Sequence, residues 1–436
     1  MTARIRRELG LLPLVAVIFF NVSGGPYGIE DAVSSFGPGL ALLLLLVTPL
    51  VWSLPVSLAM AELSSALPQE GGYVYWVRRA FGPFWGFQAG WWSWVNSFVD
   101  VAVYPALFAD YLRFWWPGMT AGQRWALALA FVWTLTAVNL SGVRITGWGA
   151  VALGIGALAP VGIFTVVAGV QARQAPWLPF AADGQDLVEG LGLGLAVMMW
   201  NYSGWDTPTT CLGETRSPAT AFRRALVAAL PMIALAYLLP VAAGLSGPGD
   251  WKAWGTGHLP VVASAVGGPW LGGLLTGGAA LATAGLFLSL LLTNSRLPFV
   301  LAREGQMPAL LARVEPRRGA PWAAVLLSSA CYSAFIFWSF KELIVLNIWL
   351  YSLALLLELA AFVALRLREP GLDRPWRVGG GAWGVGLVAA LPAACCVLAM
   401  ATAGWTNTLV GVAAALTGPL AYGLWRGRGA GRPAAR

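Results

Sequence analysis

Apolar residues run through the chain in stretches of about twenty, each long enough to cross about 30 Å of hydrocarbon, and the stretches are separated by glycine, proline and clusters of charge. This pattern predicts helices near residues 11–36, 39–66, 83–113, 123–141, 147–171, 187–214, 221–246, 270–303, 320–339, 342–368, 382–402 and 405–425. No stretch is left for a soluble domain. The expected fold class is an all-α integral membrane protein with twelve transmembrane helices, residues 1–436 forming one transmembrane domain.

Composition agrees with the pattern. Of the 436 residues 58% are hydrophobic and 11% charged, and the mean hydropathy is +0.70, whereas soluble domains are about a quarter charged. Arg4, Arg6 and Arg7 precede the first apolar run as in a signal peptide, but no small-residue cleavage site follows, so the first helix is expected to be retained. The charges set the orientation. An even number of spans puts both termini on one side, and of the 27 Lys and Arg residues 22 fall on that side. The other five are Arg113, Arg124, Arg173, Lys252 and Lys341. Basic residues concentrate on the cytoplasmic side, so both termini are expected in the cytoplasm, with the protein multi-pass in the cell (plasma) membrane. The net charge of +8 is spread over short loops and not gathered on one face, which argues against a nucleic-acid partner. The four cysteines lie in apolar segments as expected free thiols, and neither they nor the lone His258 make a metal site.

One motif occurs twice. Asn21-Val22-Ser23-Gly24 in the first span recurs as Asn201-Tyr202-Ser203-Gly204 in the sixth, 180 residues later. A five-helix inverted repeat is the reading that follows, with 11–171 as the first copy, 187–368 as the second and 382–425 as two peripheral helices. Gly24-Gly25-Pro26 and Ser203-Gly204-Trp205-Asp206 then break their helices near the middle of the membrane. Free backbone groups are tolerable there only against protein or a watery cavity. The bland alternative is a pair of proline kinks in packed helices.

Five carboxylates fall inside predicted spans: Glu30, Asp31, Asp100, Asp206 and Glu358. At about 2.5–3.5 kcal/mol each they cannot face lipid, and almost every Arg lies in a loop. Such a set suits a cation or a proton. Each has a structural alternative. Asp206 precedes Thr207-Pro208, where it either N-caps the second half of its helix or faces the cavity. Asp100 shares a stripe with Asn96 and Tyr104, which is either a packing face or a binding face. Glu30 and Asp31 follow the first break, where either the helix dipole alone accounts for them or they face the cavity. Glu358 lies two turns from Arg366, as a structural pair or as a proton site. The aromatics Trp200, Tyr202 and Trp205 flank the second break and can stack on an ammonium group, although many of the 24 Trp are anchors or packing.

At these motifs the chain resembles the amino acid-polyamine-organocation transporter superfamily, and within it the plant-type polyamine uptake branch. The superfamily pattern is carried by Ala61-Glu62-Leu63, Pro68, Gly71-Gly72-Tyr73-Val74-Tyr75-Trp76, and Ser295-Arg296-Leu297-Pro298 running into Ala302-Arg303-Glu304-Gly305-Gln306-Met307-Pro308. The branch is carried by Ser23 to Asp31, Gly82 to Gln88, Asp100 with Tyr104-Pro105, Trp205-Asp206, Leu212-Gly213-Glu214 and Glu358. The stretch Thr207-Pro208-Thr209-Thr210 departs from it, and the fifth span has no lysine of the kind some superfamily members use for protons. The resemblance implies a leucine-transporter-like 5+5 inverted repeat with broken helices 1 and 6 and substrate between them. It also implies a transporter and not an enzyme, with no cofactor.

The substrate-binding residues expected are Ser23, Gly24, Gly25, Glu30, Asp100, Tyr104, Trp200, Asn201, Tyr202, Trp205 and Asp206, with Glu30, Asp206 and Glu358 as candidates for proton coupling. A polyamine or other cationic amine needs several spaced acidic and aromatic partners. An amino acid instead docks its carboxylate on N–H groups at Gly24 and Gly25 and its ammonium on carbonyls near Trp200 and Asn201. Both cargoes stay open, as does the choice between uptake and exchange. The partners expected are a small amine or amino acid, the lipid bilayer and a coupling ion, the proton first and sodium as the alternative.

Overall fold

The computed structural model describes residues 5–182, 184, 194, 197–255, 257–337, 340–402 and 404–429. Among them the protein is all-helical, with one isolated parallel bridge between Leu9 and Thr215 and no strand. Seven helices are long and apolar enough to cross a membrane: Pro38–Ala66, Val143–Val170, Pro218–Ser246, Pro269–Arg303, Trp349–Arg368, Gly381–Thr402 and Trp405–Trp425. Leu11–Val22 and Trp322–Phe335 are shorter apolar helices. Most of the expected sixth span before Val197 lies outside the described residues.

Local chemistry explains where the helices stop. α1 (Leu11–Val22) ends as Ser23 turns extended, and Gly25 and Gly28 follow with φ of +96° and +91°, a region glycine enters without steric cost. α2 (Glu30–Phe36) starts beyond the break with both its acids in the first turn, and Gly37 separates it from α3 (Pro38–Ala66), whose proline opens the helix where no N–H is needed. α3 contains a π-helical turn at Pro49–Ser53. A short α4 (Tyr73–Phe81) precedes the third span, which is expected as one helix over 83–113 but is two: α5 (Pro83–Asp100) and α6 (Val103–Leu112), separated by a turn at Val101–Ala102. α7 (Ala121–Leu140) begins with a capping box between Thr120 and Gln123.

α8 (Val143–Val170), α9 (Pro218–Ser246) and α10 (Leu259–Gly267) precede α11 (Pro269–Asn294), which runs through Ser295 into α12 (Arg296–Arg303). α13 (Trp322–Phe335), α14 (Phe340–Arg368), α15 (Gly381–Thr402) and α16 (Trp405–Gly429) complete the chain. α11 is the most enclosed of the apolar helices, packing on α1, α6, α7 and α8, while α14 packs on α4, α5, α15 and α16. α16 is the least enclosed, with Leu416, Leu420 and Leu424 exposed as lipid-facing side chains would be.

Two buried ionic clusters tie loops to helices. Arg296 and Glu214 are each 1% exposed and meet through two parallel bonds of 3.0 Å, while a third nitrogen group of Arg296 donates to the Leu292 carbonyl and Ser295. Glu62 accepts from Arg366 at 2.6 Å and from the Val378 amide at 2.8 Å and pairs with Arg374 at 3.1 Å, which ties the loop after α14 to α3. The expected pairing of Arg366 with Glu358 is therefore not formed, because Glu62 and the Val378 carbonyl hold the guanidinium instead. Breaking a buried pair from one side leaves an uncompensated charge, at a cost of about 3–5 kcal/mol. Arg296→Gln is expected to lower the melting temperature of the detergent-solubilised protein sharply, whereas Arg296→Met with Glu214→Leu recovers most of that loss, as read by thermal unfolding.

Candidate functional site

The first break carries Asn21, whose side-chain amide donates back to the Val17 carbonyl at 2.7 Å; in the second break Asn201 does the same to Val197 at 3.0 Å. The repeated asparagine thus plays the same local part in both copies, pairing a carbonyl near the end of a helix. The freed backbone of the second break is taken up by tyrosines. The Gly204 amide donates to the Tyr351 hydroxyl at 3.0 Å, and the Tyr237 hydroxyl donates to the Asn201 carbonyl at 2.9 Å. In the first break the Gly25 amide donates to Ser23 Oγ at 3.0 Å.

The two breaks touch. A methyl group on Gly204 would lie 2.2 Å from the Asn21 carbonyl oxygen, and Gly204 has a φ of +98°, so glycine is required here twice over. Thr293 of α11 adds a bond from its hydroxyl to Asn21 Oδ1 at 2.8 Å.

Two small cavities flank this contact. The first, about 40 Å³, is lined by both breaks and by α5, α11 and α14, with Asn96, Asp100, Asp206, Asn294 and Tyr351 as its principal polar residues. The second, about 30 Å³, is lined by Ser23, Gly24, Tyr27, Asn201, Tyr237 and Thr283, among others. Val22, Tyr104 and Trp200 line both and so stand between them. Each volume suits one or a few waters, so a larger solute enters only as the walls move.

Asp206 is buried, and its Oδ1 accepts from the Tyr351 hydroxyl at 2.6 Å. It does not cap the segment after the break: Thr207–Glu214 is a 3₁₀ helix with no side-chain cap bond from Asp206. Of the other expected residues, Ser23, Gly24, Asp100, Tyr104, Trp200 and Asn201 line one or both cavities. Glu30, Tyr202 and Trp205 line neither. Glu30 is buried with Oε2 on the Gly28 amide at 2.7 Å, Tyr202 donates its hydroxyl to the Leu45 carbonyl, and Trp205 donates its indole N–H to the Tyr202 carbonyl. Gly25 serves by conformation, at positive φ. Glu358 is 1% exposed and neither of its oxygens has a hydrogen-bond partner. Sequence reasoning missed Tyr351, Tyr237, Asn294 and Ser93. Tyr351 and Asn294 are polar residues inside apolar runs, a signal present in the sequence; nothing marks Tyr237 from other buried tyrosines.

An all-helical, multi-pass membrane protein with two interrupted helices meeting around a carboxylate-lined cavity is built as a transporter and not as an enzyme. The chain belongs to the amino acid permease family, whose model matches residues 9–420. Among its relatives are the polyamine transporter PUT1 of Oryza sativa subsp. japonica, 37% identical over 87% of this chain and 71% of the relative, and the polyamine transporter RMV1 of Arabidopsis thaliana, 34% identical over 94% and 84%. A probable polyamine transporter of Arabidopsis thaliana is 37% identical over 91% and 82%.

Gly204→Ala is expected to cost about 1–2 kcal/mol for the backbone angle alone and more for the clash with Asn21, lowering the melting temperature. Gly24→Ala is expected to be milder, since its added methyl meets the movable end of Leu286. Thermal unfolding of the two variants side by side checks the difference.

Proposed function

We propose that this transporter carries polyamines or other cationic amines into the cell across the plasma membrane, driven by the membrane potential or by protons, through alternating access of a twelve-helix, 5+5 inverted-repeat fold with both termini in the cytoplasm. The observation that carries the reading is the lining of the larger polar cavity: two carboxylates, Asp100 and Asp206, with Tyr104, Trp200 and Tyr351, and no basic side chain among the described lining residues. Carboxylates and aromatic faces are the partners of an ammonium group. The names of the plant relatives point the same way. The matched asparagine geometry of the two breaks supports the inverted repeat.

A zwitterionic amino acid fits less well, because one of the two N–H groups that would receive its carboxylate, that of Gly25, already donates to Ser23. An inside-negative potential of about 100 mV favours entry by about 2.3 kcal/mol per charge, so a doubly charged amine gains about 4.6 kcal/mol.

Three outcomes test the reading. In proteoliposomes, spermidine and putrescine are expected to compete with labelled spermidine while leucine does not; effective competition by leucine or arginine, with no uptake of spermidine, reverses the choice of cargo. Asp206→Asn keeps the acceptor for Tyr351 but removes a charge, and is expected to weaken apparent spermidine affinity by about 2 kcal/mol or more, about thirtyfold. A cysteine replacing the exposed Lys252 is expected to react with an impermeant maleimide on intact cells. Labelling only after the membrane is opened reverses the orientation.

A further inference from the structure

Glu358 is a buried titratable group that lines neither cavity. It sits on α14 two turns after Tyr351, 1% exposed, with no donor to either carboxylate oxygen. The titratable groups that face it are Asp206 at the second break, Tyr351 on its own helix, the Tyr73 hydroxyl on α4 and the Cys396 thiol on α15. None is a cation. Arg366, the cation nearest in sequence, is held by Glu62 and the Val378 carbonyl. The titratable residue of α5, Asp100, lines the cavity; Glu62, the acid of α3, is committed to its arginines.

The contrast with Asp206 is the point. Both are buried carboxyl groups, but Asp206 has a hydroxyl donor at 2.6 Å and opens on the cavity, while Glu358 has no donor among the described residues and lines neither cavity. A group of the first kind is equipped to stay charged and meet a cation. A carboxylate of the second kind, with another carboxylate facing it, is costly unless it carries a proton.

We propose that Glu358 is the seat of the coupling proton, a site distinct from the amine cavity and linked to it through the charge on Asp206. The step is the making and breaking of one O–H bond: water on one side of the membrane gives a proton to the Glu358 carboxylate, and water on the other side takes it away. Because Asp206 meets both the amine and the field of Glu358, the load on one site alters the occupancy of the other, as any two linked sites must. This inference rests on the reading that the chain moves cationic amines, and two separate measurements keep their fates apart.

The first uses proteoliposomes with labelled spermidine, the potential clamped at zero and a pH gradient of about one unit. Wild type is expected to reach a steady spermidine ratio of about tenfold, the limit one proton supports, on the alkaline side if the two travel together and on the acid side if they exchange. Glu358→Gln is expected to equilibrate spermidine against unlabelled spermidine yet show no ratio. A wild type indifferent to the gradient, or a ratio that survives in Glu358→Gln, overturns the proposal.

The second uses infrared difference spectra of the purified protein with no solute. A carbonyl stretch of a protonated carboxyl group that fades as pH is raised, and is missing in Glu358→Gln but kept in Asp206→Asn, supports the proposal. A band unchanged by Glu358→Gln, or present in wild type at every pH, overturns it. If spermidine is not moved at all, or Glu358→Gln loses exchange, the infrared measurement decides for Glu358 alone while the first result decides for the cargo.

Discussion

A helix interrupted in hydrocarbon exposes amides and carbonyls that lipid cannot satisfy, and the rest of this molecule is arranged around meeting that demand. The two interruptions are set against each other so closely that a carbonyl of one takes the space a side chain would need on Gly204 of the other. Around this contact loose backbone groups go to side chains of other helices, Tyr351 of α14 receiving the Gly204 amide and Tyr237 of α9 supplying the Asn201 carbonyl, and Thr293 of α11 donates to the side-chain oxygen of Asn21. Because α9, α11 and α14 must all come near the breaks to do this, the same hydrogen bonds that make the broken helices tolerable also build the cavity walls. Site and scaffold are one construction.

That economy explains what the sequence revealed. The breaks were legible because glycine next to a repeated asparagine is a local signal, and the apolar runs were legible by length, to within four residues at either end for Val143–Val170, Pro218–Ser246 and Gly381–Thr402. The turn at Val101–Ala102 is easily read over, although Pro105 signals it: the proline has no N–H for the Val101 carbonyl four residues earlier, and α5 and α6 still read as one apolar run. Asp100 and Asp206 stood out as acids in apolar surroundings. Their partners did not: Tyr351 is 145 residues from Asp206, and no spacing rule reaches so far. The same limit left Glu358 open between a pair with Arg366 two turns on and a proton site, whereas in the structure Arg366 is drawn to Glu62, 304 residues away.

Glu30 shows the reverse case. As an acid just beyond a break it carries every local mark of a cavity residue, but its carboxylate turns back to the Gly28 amide and lies near the Tyr111 hydroxyl. A negatively charged side chain in the first turn of a helix is stabilised by the dipole and by nearby amides, and here that local attraction accounts for its place. Asp206 had a comparable local option as a cap and does not take it, because the chain past Thr207-Pro208 winds as a 3₁₀ helix and Tyr351 offers a shorter bond.

The cluster at Glu62 bears on how the chain matures during synthesis. Its carboxylate belongs to one of the first helices made, yet Arg366, Arg374 and the Val378 amide, which complete it, are translated more than 300 residues later. Until then a nascent chain holding α3 has an acid destined for burial and nothing to neutralise it. The contacts that neutralise Glu62 are therefore completed only once the loop after α14 has been made. Fragments that stop short of Val378 lack the means to finish the first half of the protein.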